Sequence, residues 1–303
     1  MPISEIERID APGADVRQAI DAVLEVYNDA ASGRPEPARW FGAFECTADG
    51  EPLGGALCVS YWDWVFVDLL HLPETLRGRG SGRRIMQAVE TEALRRGCRG
   101  IWLDTATYQA PDFYRKLGFV EFARLPEIAP GVARHSFRKT AIAAWPDDGT
   151  RIVDDPPEAS RAIVRDGLRA YNESRAGAGR RISVALVTRG TPGGAITGGV
   201  WGRILRDWMA IELLVVPDGL RGRGLGARMM ADAEAIARSE GCCGVVLDTF
   251  SFQAPGFYRR LGYTVLGEVP DYPMPHSRYL LAKRLDGSPV LAEGAAAQLA
   301  GTA

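Results

Sequence analysis

Apolar positions along the chain follow two periods in turn, and the same succession of periods occurs twice. Ile20, Val23, Leu24 and Tyr27 stand at i, i+3, i+4 and i+7, one face of an amphipathic helix. Val164, Leu168 and Tyr171 repeat that face further along. Turn chemistry at Asp49-Gly50-Glu51-Pro52 and at Thr191-Pro192-Gly193-Gly194 then divides segments predicted as antiparallel strands. Val65 to Leu72 and Ala210 to Val216 are short, strongly apolar and bounded by turn residues, the pattern of a buried central strand. Helical spacing returns at Ile85, Met86, Val89 and Ala93, and at Met229, Met230, Ala233 and Ala237. These stretches end at Gly97 and Gly241, which suit the position just past a helix. Strands Gly100 to Asp104 and Gly244 to Asp248 follow, parallel to the central strand through a normal crossover.

The repetition extends to the residues themselves. Leu103-Asp104-Thr105 through Tyr108-Gln109-Ala110-Pro111 and Phe113-Tyr114-Arg115 returns as Leu247-Asp248-Thr249, Phe252-Gln253-Ala254-Pro255 and Phe257-Tyr258-Arg259, always 144 positions later. Solenoid repeats run at roughly 20–50 residues, so this period predicts two whole domains, each folding as a unit. Residues 1–144 form the first and 151–286 the second, with a linker over 145–150, Trp145-Pro146-Asp147-Asp148-Gly149-Thr150. The tail 287–303 is rich in small residues, lies outside the repeat and reads as loose.

Composition narrows the possibilities without choosing among them. A chain of 303 residues, 46% hydrophobic and 24% charged with net charge −2, is that of an ordinary soluble globular protein and gives no electrostatic reason to bind nucleic acid. The longest apolar stretch, Trp64 to Leu72, contains Asp68 and His71 and falls short of the roughly 18 residues a membrane span needs. The first seven residues carry no apolar signal core, so a cytoplasmic location is expected. Five cysteines without Cys-x-x-Cys spacing argue against a disulfide framework. Three widely spaced histidines argue against a metal site.

The chemistry concentrates in a turn that also occurs twice. Arg77-Gly78-Arg79-Gly80-Ser81-Gly82-Arg83 and Arg221-Gly222-Arg223-Gly224-Leu225-Gly226-Ala227 each join the central strand to a helix start. Outward N–H groups, the positive helix end and glycines that permit close approach make an anion cradle suited to a diphosphate. The arginines can add charge-assisted hydrogen bonds. A P-loop would end in Gly-Lys-Ser/Thr, and a dinucleotide fingerprint would read Gly-x-Gly-x-x-Gly; neither is present. A tight turn with solvated arginines is the plainer alternative, and the second copy weakens it.

These residues resemble the GCN5-related N-acetyltransferase (GNAT) family, whose signature Gln/Arg-x-x-Gly-x-Gly/Ala is met by Arg77, Gly80 and Gly82 and by Arg221, Gly224 and Gly226. The resemblance spans both copies. It implies an α/β (α+β) fold of two tandem domains, each a mixed, largely antiparallel sheet with a central parallel pair flanked by helices. It also implies that the turn binds the pyrophosphate of acetyl-CoA, while the backbone of Leu70-His71-Leu72 or Leu214-Val215-Val216 pairs with the pantetheine arm. The family's Asn-x-x-Ala-x-x-x-Tyr helix is matched at Ala110 and Tyr114 and at Ala254 and Tyr258. Thr107 and Ser251 occupy the Asn position, where a hydroxyl can still reach the pantetheine. Tyr258, with Tyr114 as its counterpart, is then the general acid for the departing thiolate. Its ordinary pKa of about 10 leaves it protonated at neutral pH.

Glu212, matched by Asp68, is the leading base, directly or through a water, unless it pairs with an arginine such as Arg203. His276 is the alternative base. The copies differ where Tyr272 and His276 replace Ile128 and Val132, and where His71 replaces Val215. More polar groups at its acceptor mouth make the second copy the better catalytic candidate. The expected activity is acetyl transfer by direct attack of a small-molecule amine, with strand N–H groups polarising the carbonyl. Acetyl-CoA is the co-substrate, no metal takes part, and the chain is a monomer or homodimer. A protein amine acceptor bound between the loops Arg34 to Trp40 and Asp271 to His276, or an acyl-CoA-binding regulatory module without turnover, are the alternatives.

Overall fold

The computed structural model describes residues 6–291. The expected loose tail falls outside the described residues from position 292 onward, as do the first five residues. The first repeat contributes β1 (Glu7–Ile9), α1 (Ala14–Ser32), β2 (Arg39–Cys46), β3 (Pro52–Tyr61), β4 (Trp64–His71), α2 (Ser81–Arg95), β5 (Gly100–Ala106), α3 (Pro111–Lys116), β6 (Val120–Ala129) and β7 (Val132–Lys139). The second follows the same order with β8 (Arg151–Asp154), α4 (Glu158–Ala176), β9 (Arg181–Arg189), β10 (Ile196–Leu205), β11 (Trp208–Val215), α5 (Leu225–Ser239), β12 (Gly244–Phe250), α6 (Pro255–Arg260), β13 (Thr264–Val269) and β14 (Arg278–Arg284). Each half is built on a seven-stranded mixed sheet in which, among the described residues, the only parallel neighbours are the central pair, β4 with β5 or β11 with β12.

The repeats do not pack as they are ordered in the chain. The sheet orders are β8-β2-β3-β4-β5-β7-β6 and β1-β9-β10-β11-β12-β14-β13, so each repeat gives its first strand to the other's sheet. The first helices go with the strands. Ile20 of α1, 0% exposed, packs with Ala185, Val187, Trp201, Leu213 and Val215 of the second sheet. Val164 of α4 is buried against Phe44 and Leu57 of the first. The expectation that each copy folds as its own unit is therefore corrected at its first strand and helix. Periodicity shows that these helices have an apolar face, but not which sheet receives it.

Side-chain volumes match this exchange. A β-carbon at Gly167 of α4 would stand 2.3 Å from the His71 ring, so the glycine makes room for the imidazole. In the other half the equivalent positions hold Val23 and Val215, packed in one cluster. One interface is large against none, the other medium against medium, and both fill their space.

The other faces of the two sheets bury α2 and α5 in separate cores. A third core, rich in aromatic residues, lies where the halves meet and holds Trp62, Trp64, Phe122, Trp208, Phe250 and Tyr272. Its two ends mirror each other. Trp64 donates from Nε1 to the Asp271 carbonyl, and Trp208 does the same to Glu127, both at 2.9 Å.

Candidate active site

In each half a notch opens in the middle of the sheet. The parallel pairing of β4 with β5 runs from Trp64 opposite Gly100 to Val67 opposite Leu103 and then stops. The next residue, Asp68, is the extra residue of a bulge in the pairing with β3, where Leu57 faces Leu69 and Cys58 faces Val67. The second sheet repeats this: pairing ends at Ile211 opposite Leu247, and Glu212 is the bulged residue. Beyond these points Leu69-Leu70-His71 and Leu213-Leu214-Val215 have no ladder partner on the parallel side. Their backbone groups on that side lie free along the notch.

The notch leads straight into the glycine turn. Gly78 and Gly80 have φ of +72° and +84°, Gly222 and Gly224 of +73° and +81°, a left-handed backbone that favours glycine. Gly80 and Gly224 cap helices of 15 residues and supply no side-chain hydrogen bond. The first amides of those helices, at Ser81, Gly82 and Arg83 and at Leu225, Gly226 and Ala227, are thus left for an anion.

The arginines of the turn divide their work. Arg77 donates from Nε to the Leu72 carbonyl at 2.8 Å and Arg221 to that of Val216 at 3.1 Å, bracing the turn against its own strand. Each guanidinium also lies 4.5 Å over a tyrosine ring of the exchanged helix, Tyr171 or Tyr27. Arg221 has in addition an ion pair with Asp218 at 2.9 Å. Arg77 and Arg221 are therefore braces, while Arg79, Arg83 and Arg223 are exposed beside the cradle.

Tyr114 and Tyr258 lie beneath the notches, 6% and 7% exposed, on short helices opened by Pro111 and Pro255. Burial pushes both phenols well above the ordinary tyrosine range, and nearby Cys58 and Asp248 add to the shift. Both hydroxyls are therefore protonated at neutral pH.

Thr107 and Ser251 are already engaged. Thr107 Oγ1 accepts the Ala133 N–H at 3.0 Å and lies 3.1 Å from His135 Nε2, whose Nδ1 is 2.7 Å from Glu121. Ser251 Oγ accepts the Ser277 N–H at 3.1 Å and lies 3.3 Å from His276 Nδ1. These hydroxyls tie the start of α3 and α6 to the neighbouring strand, which leaves them poorly free for a pantetheine.

The candidate bases separate sharply. Glu212 bonds Arg203, and Arg17 of the exchanged helix stands 3.6 Å away, so its carboxylate is in an ion-pair cluster. Among the described residues Asp68 has no hydrogen-bond or ion-pair partner. It opens to solvent at the notch, yet the surrounding protein lifts its carboxyl above the ordinary range. Arg203 opposes that lift, and Glu212 and Asp104 add to it. His276 is half-buried with its ring edge-on to Phe252 at 5.0 Å. Tyr272 is not at an acceptor mouth: it is 1% exposed, inside the aromatic core, because Trp62, Trp64 and Phe250 close around it. The polar mouth expected for the second copy is corrected accordingly.

The structure adds a latch in each half. Gln109 accepts from Ala106 N–H at 2.7 Å and donates to Asn172 of α4 at 2.8 Å; Gln253 likewise binds Phe250 N–H at 3.0 Å and Asn28 of α1 at 2.8 Å. Beside them Tyr171 and Tyr27 donate to the carbonyls of Tyr108 and Phe252. The Tyr-Asn pair at 27–28 and 171–172 is the trace of this latch in the chain. Among the described residues no three His, Cys, Asp or Glu side chains gather as a metal site, and no helix is long and apolar enough to cross a membrane.

A central parallel pair splayed at a bulge and followed by a glycine turn into a helix can seat a phosphate at the helix start and an extended chain along the notch. The acetyltransferase (GNAT) family matches residues 3–119 and again 148–263, and the chain belongs to that family. It is an N-acetyltransferase in two tandem copies, and GNAT acetyltransferases use acetyl-CoA. Among its relatives, the blasticidin-S acetyltransferase of Streptomyces morookaense is 47% identical over 93 residues, 30% of this chain and 68% of that protein. Acetyltransferase Atu2258 of Agrobacterium fabrum is 36% identical over 127 residues, 42% of this chain and 91% of that one. The crystal structure of an acetyltransferase from Bacillus cereus is 32% identical, with a TM-score of 0.41 over 44% of this chain and 96% of its own.

Proposed function

We propose that this enzyme acetylates the amine of a small molecule by direct transfer and that the first half carries the reaction. The observation that bears most weight is the free Asp68 carboxylate on the bulge at the head of the notch, where its counterpart Glu212 is tied to two arginines. The named activity of the Streptomyces relative supports a small-molecule acceptor.

Acetyl-CoA supplies a thioester whose carbonyl carbon is open to an amine. The chain's own groups do the rest. Amides of Ser81, Gly82 and Arg83 at the head of α2 hold a diphosphate, with Arg79 and Arg83 beside them. Unpaired backbone groups of Leu69 to His71 align the pantetheine arm and polarise the carbonyl. Asp68 receives the proton of the acceptor ammonium, and its raised affinity for protons suits a base. The Tyr114 hydroxyl protonates the departing sulfur.

In the second half Leu225, Gly226 and Ala227 offer the same diphosphate site, and Tyr258 keeps the acid's position. With Glu212 paired, that half binds acetyl-CoA and turns it over slowly or not at all. Tyr114→Phe and Tyr258→Phe separate the halves in a thiol-release assay with blasticidin S as the first acceptor. Tyr114→Phe should lower kcat about a hundredfold with acetyl-CoA affinity unchanged, while Tyr258→Phe leaves kcat near wild type. The reverse pattern would move catalysis to the second half.

A further inference from the structure

Each half sends a hairpin tip toward the other's notch, and the two tips differ. The turn between β10 and β11, Leu205-Arg206-Asp207-Trp208, borders a solvent-open cavity of about 250 Å³ in the first half. Thr105, Ala106 and Tyr108, just past the point where β5 leaves β4, form one wall, and Asn172 and Glu173 of α4 form another. The corresponding tip between β3 and β4 carries Trp62 where the first has Arg206. Trp62 is 4% exposed and stands edge-on to Phe250, Phe252 and Tyr272, with centroids 5.1, 5.9 and 6.2 Å away. Those three aromatics occupy the places of Ala106, Tyr108 and Ile128. The first half therefore keeps a cavity beside the end of β5 that has left β4, and the corresponding space in its twin is filled by aromatic side chains.

The charge of this cavity is lopsided. Five arginines line it against two carboxylates, Asp104 and Glu173, and because Arg169 stands 3.9 Å from Asp166 and Arg180 3.6 Å from Glu240, the excess positive charge rests on Arg181 and Arg206. Arg134 stands 3.7 Å from Asp104, but Arg206 is held by the carbonyls of Ala176 and Gly177 at 2.7 and 2.8 Å, which leave its charge unneutralised. Arg181 is exposed at the rim. A bare monoamine would enter this field against repulsion, whereas an anionic group would be drawn in. The volume lies just below the roughly 300–1,000 Å³ of ordinary ligand sites, which favours a small occupant.

We propose that this cavity is the acceptor pocket of the first half, that it takes a small amine also bearing a carboxylate or phosphate, and that Trp62 closes its counterpart. The proposal rests on the first half being the transferring half; its test uses neither donor nor turnover. Ala106→Cys places a thiol on the cavity wall of the full chain, and the wild-type protein with its five native cysteines gives the background. The introduced thiol should react about tenfold faster with a sulfonate-bearing methanethiosulfonate than with a trimethylammonium one of like size at low salt. Adding Arg206→Trp should slow both reagents at least tenfold, and Arg206→Ala should narrow the ratio between them without blocking either. Phosphoethanolamine or β-alanine should protect the thiol where ethanolamine and propylamine do not, and the member that protects identifies phosphate or carboxylate. An equal or faster cationic reagent, equal protection by the neutral amines, or rates indifferent to Arg206→Trp in a variant that keeps its circular dichroism, overturns the proposal. Acetyl-CoA titration of the same proteins reports separately on the functional reading.

Discussion

The sharpest consequence of the exchanged helices is that a mutation in the first repeat should unfold part of the second. Ile20 is the place to strike: it is fully buried, it packs on five residues of the second sheet, and a β-carbon at Gly199 would stand 3.2 Å from its Cδ1. Ile20→Ala removes three carbons from that contact. Such truncations cost about 2–5 kcal/mol, and a site held between a helix and a rigid sheet collapses poorly, so about 3 kcal/mol is a fair central value. At about 1.4 kcal/mol per tenfold, the opening equilibrium should rise by about two orders of magnitude. Hydrogen exchange read by mass spectrometry reports where. Peptides from β9, β10 and β11 should lose protection, while those from β2, β3 and β4 hold theirs. Loss in β2 to β4 alone, or equal loss in both sheets, would refute the packing described above.

Two further outcomes follow from the site. Asp68→Asn should abolish most amine turnover and yet stabilise the protein. The surrounding protein, with Glu212 and Asp104 adding to it, raises this carboxyl's folded pKa, so any stability it contributes is present at acid pH and lost as pH rises through that pKa. Calorimetric melting should therefore show the Asn variant ahead at pH 7 and level with wild type near pH 3. In the latch, Asn28→Ala and Gln253→Ala should each cost about 1 kcal/mol, and the double variant little more than either alone; additive losses in denaturant melts would mean the two side chains act independently.

Much of the scaffold was legible in the chain because its signals are local. The Ile85, Met86, Val89, Ala93 spacing marks α2, the Val65 to Leu72 run marks β4, and glycines at 78 and 80 mark a left-handed turn. What stayed hidden depends on neighbours far along the chain. The apolar face of α1 looks the same whether it meets β3 and β4 or β10 and β11. Parity in β11 predicts a side for Glu212, but only the bulge at that residue and the arrival of Arg17 on an exchanged helix decide what it touches. Tyr272 looks polar in a proline-rich loop, and becomes core because Trp62 arrives from the other half. Val23 opposite Val215 and Gly167 opposite His71 carry a complementarity invisible to a comparison of the repeats position by position.

That last pairing changes what counts as a unit of inheritance in this molecule. Position 71 keeps company with 167, and 215 with 23, so each working half is encoded on both sides of the linker. A substitution accepted in one copy sets the conditions for the other copy's sheet. Copying one repeat over the other would set His71 beside Val23's counterpart and leave two ill-fitting lobes. The duplicated gene can specialise its halves, but it can do so only crosswise, and neither copy is free to decay alone.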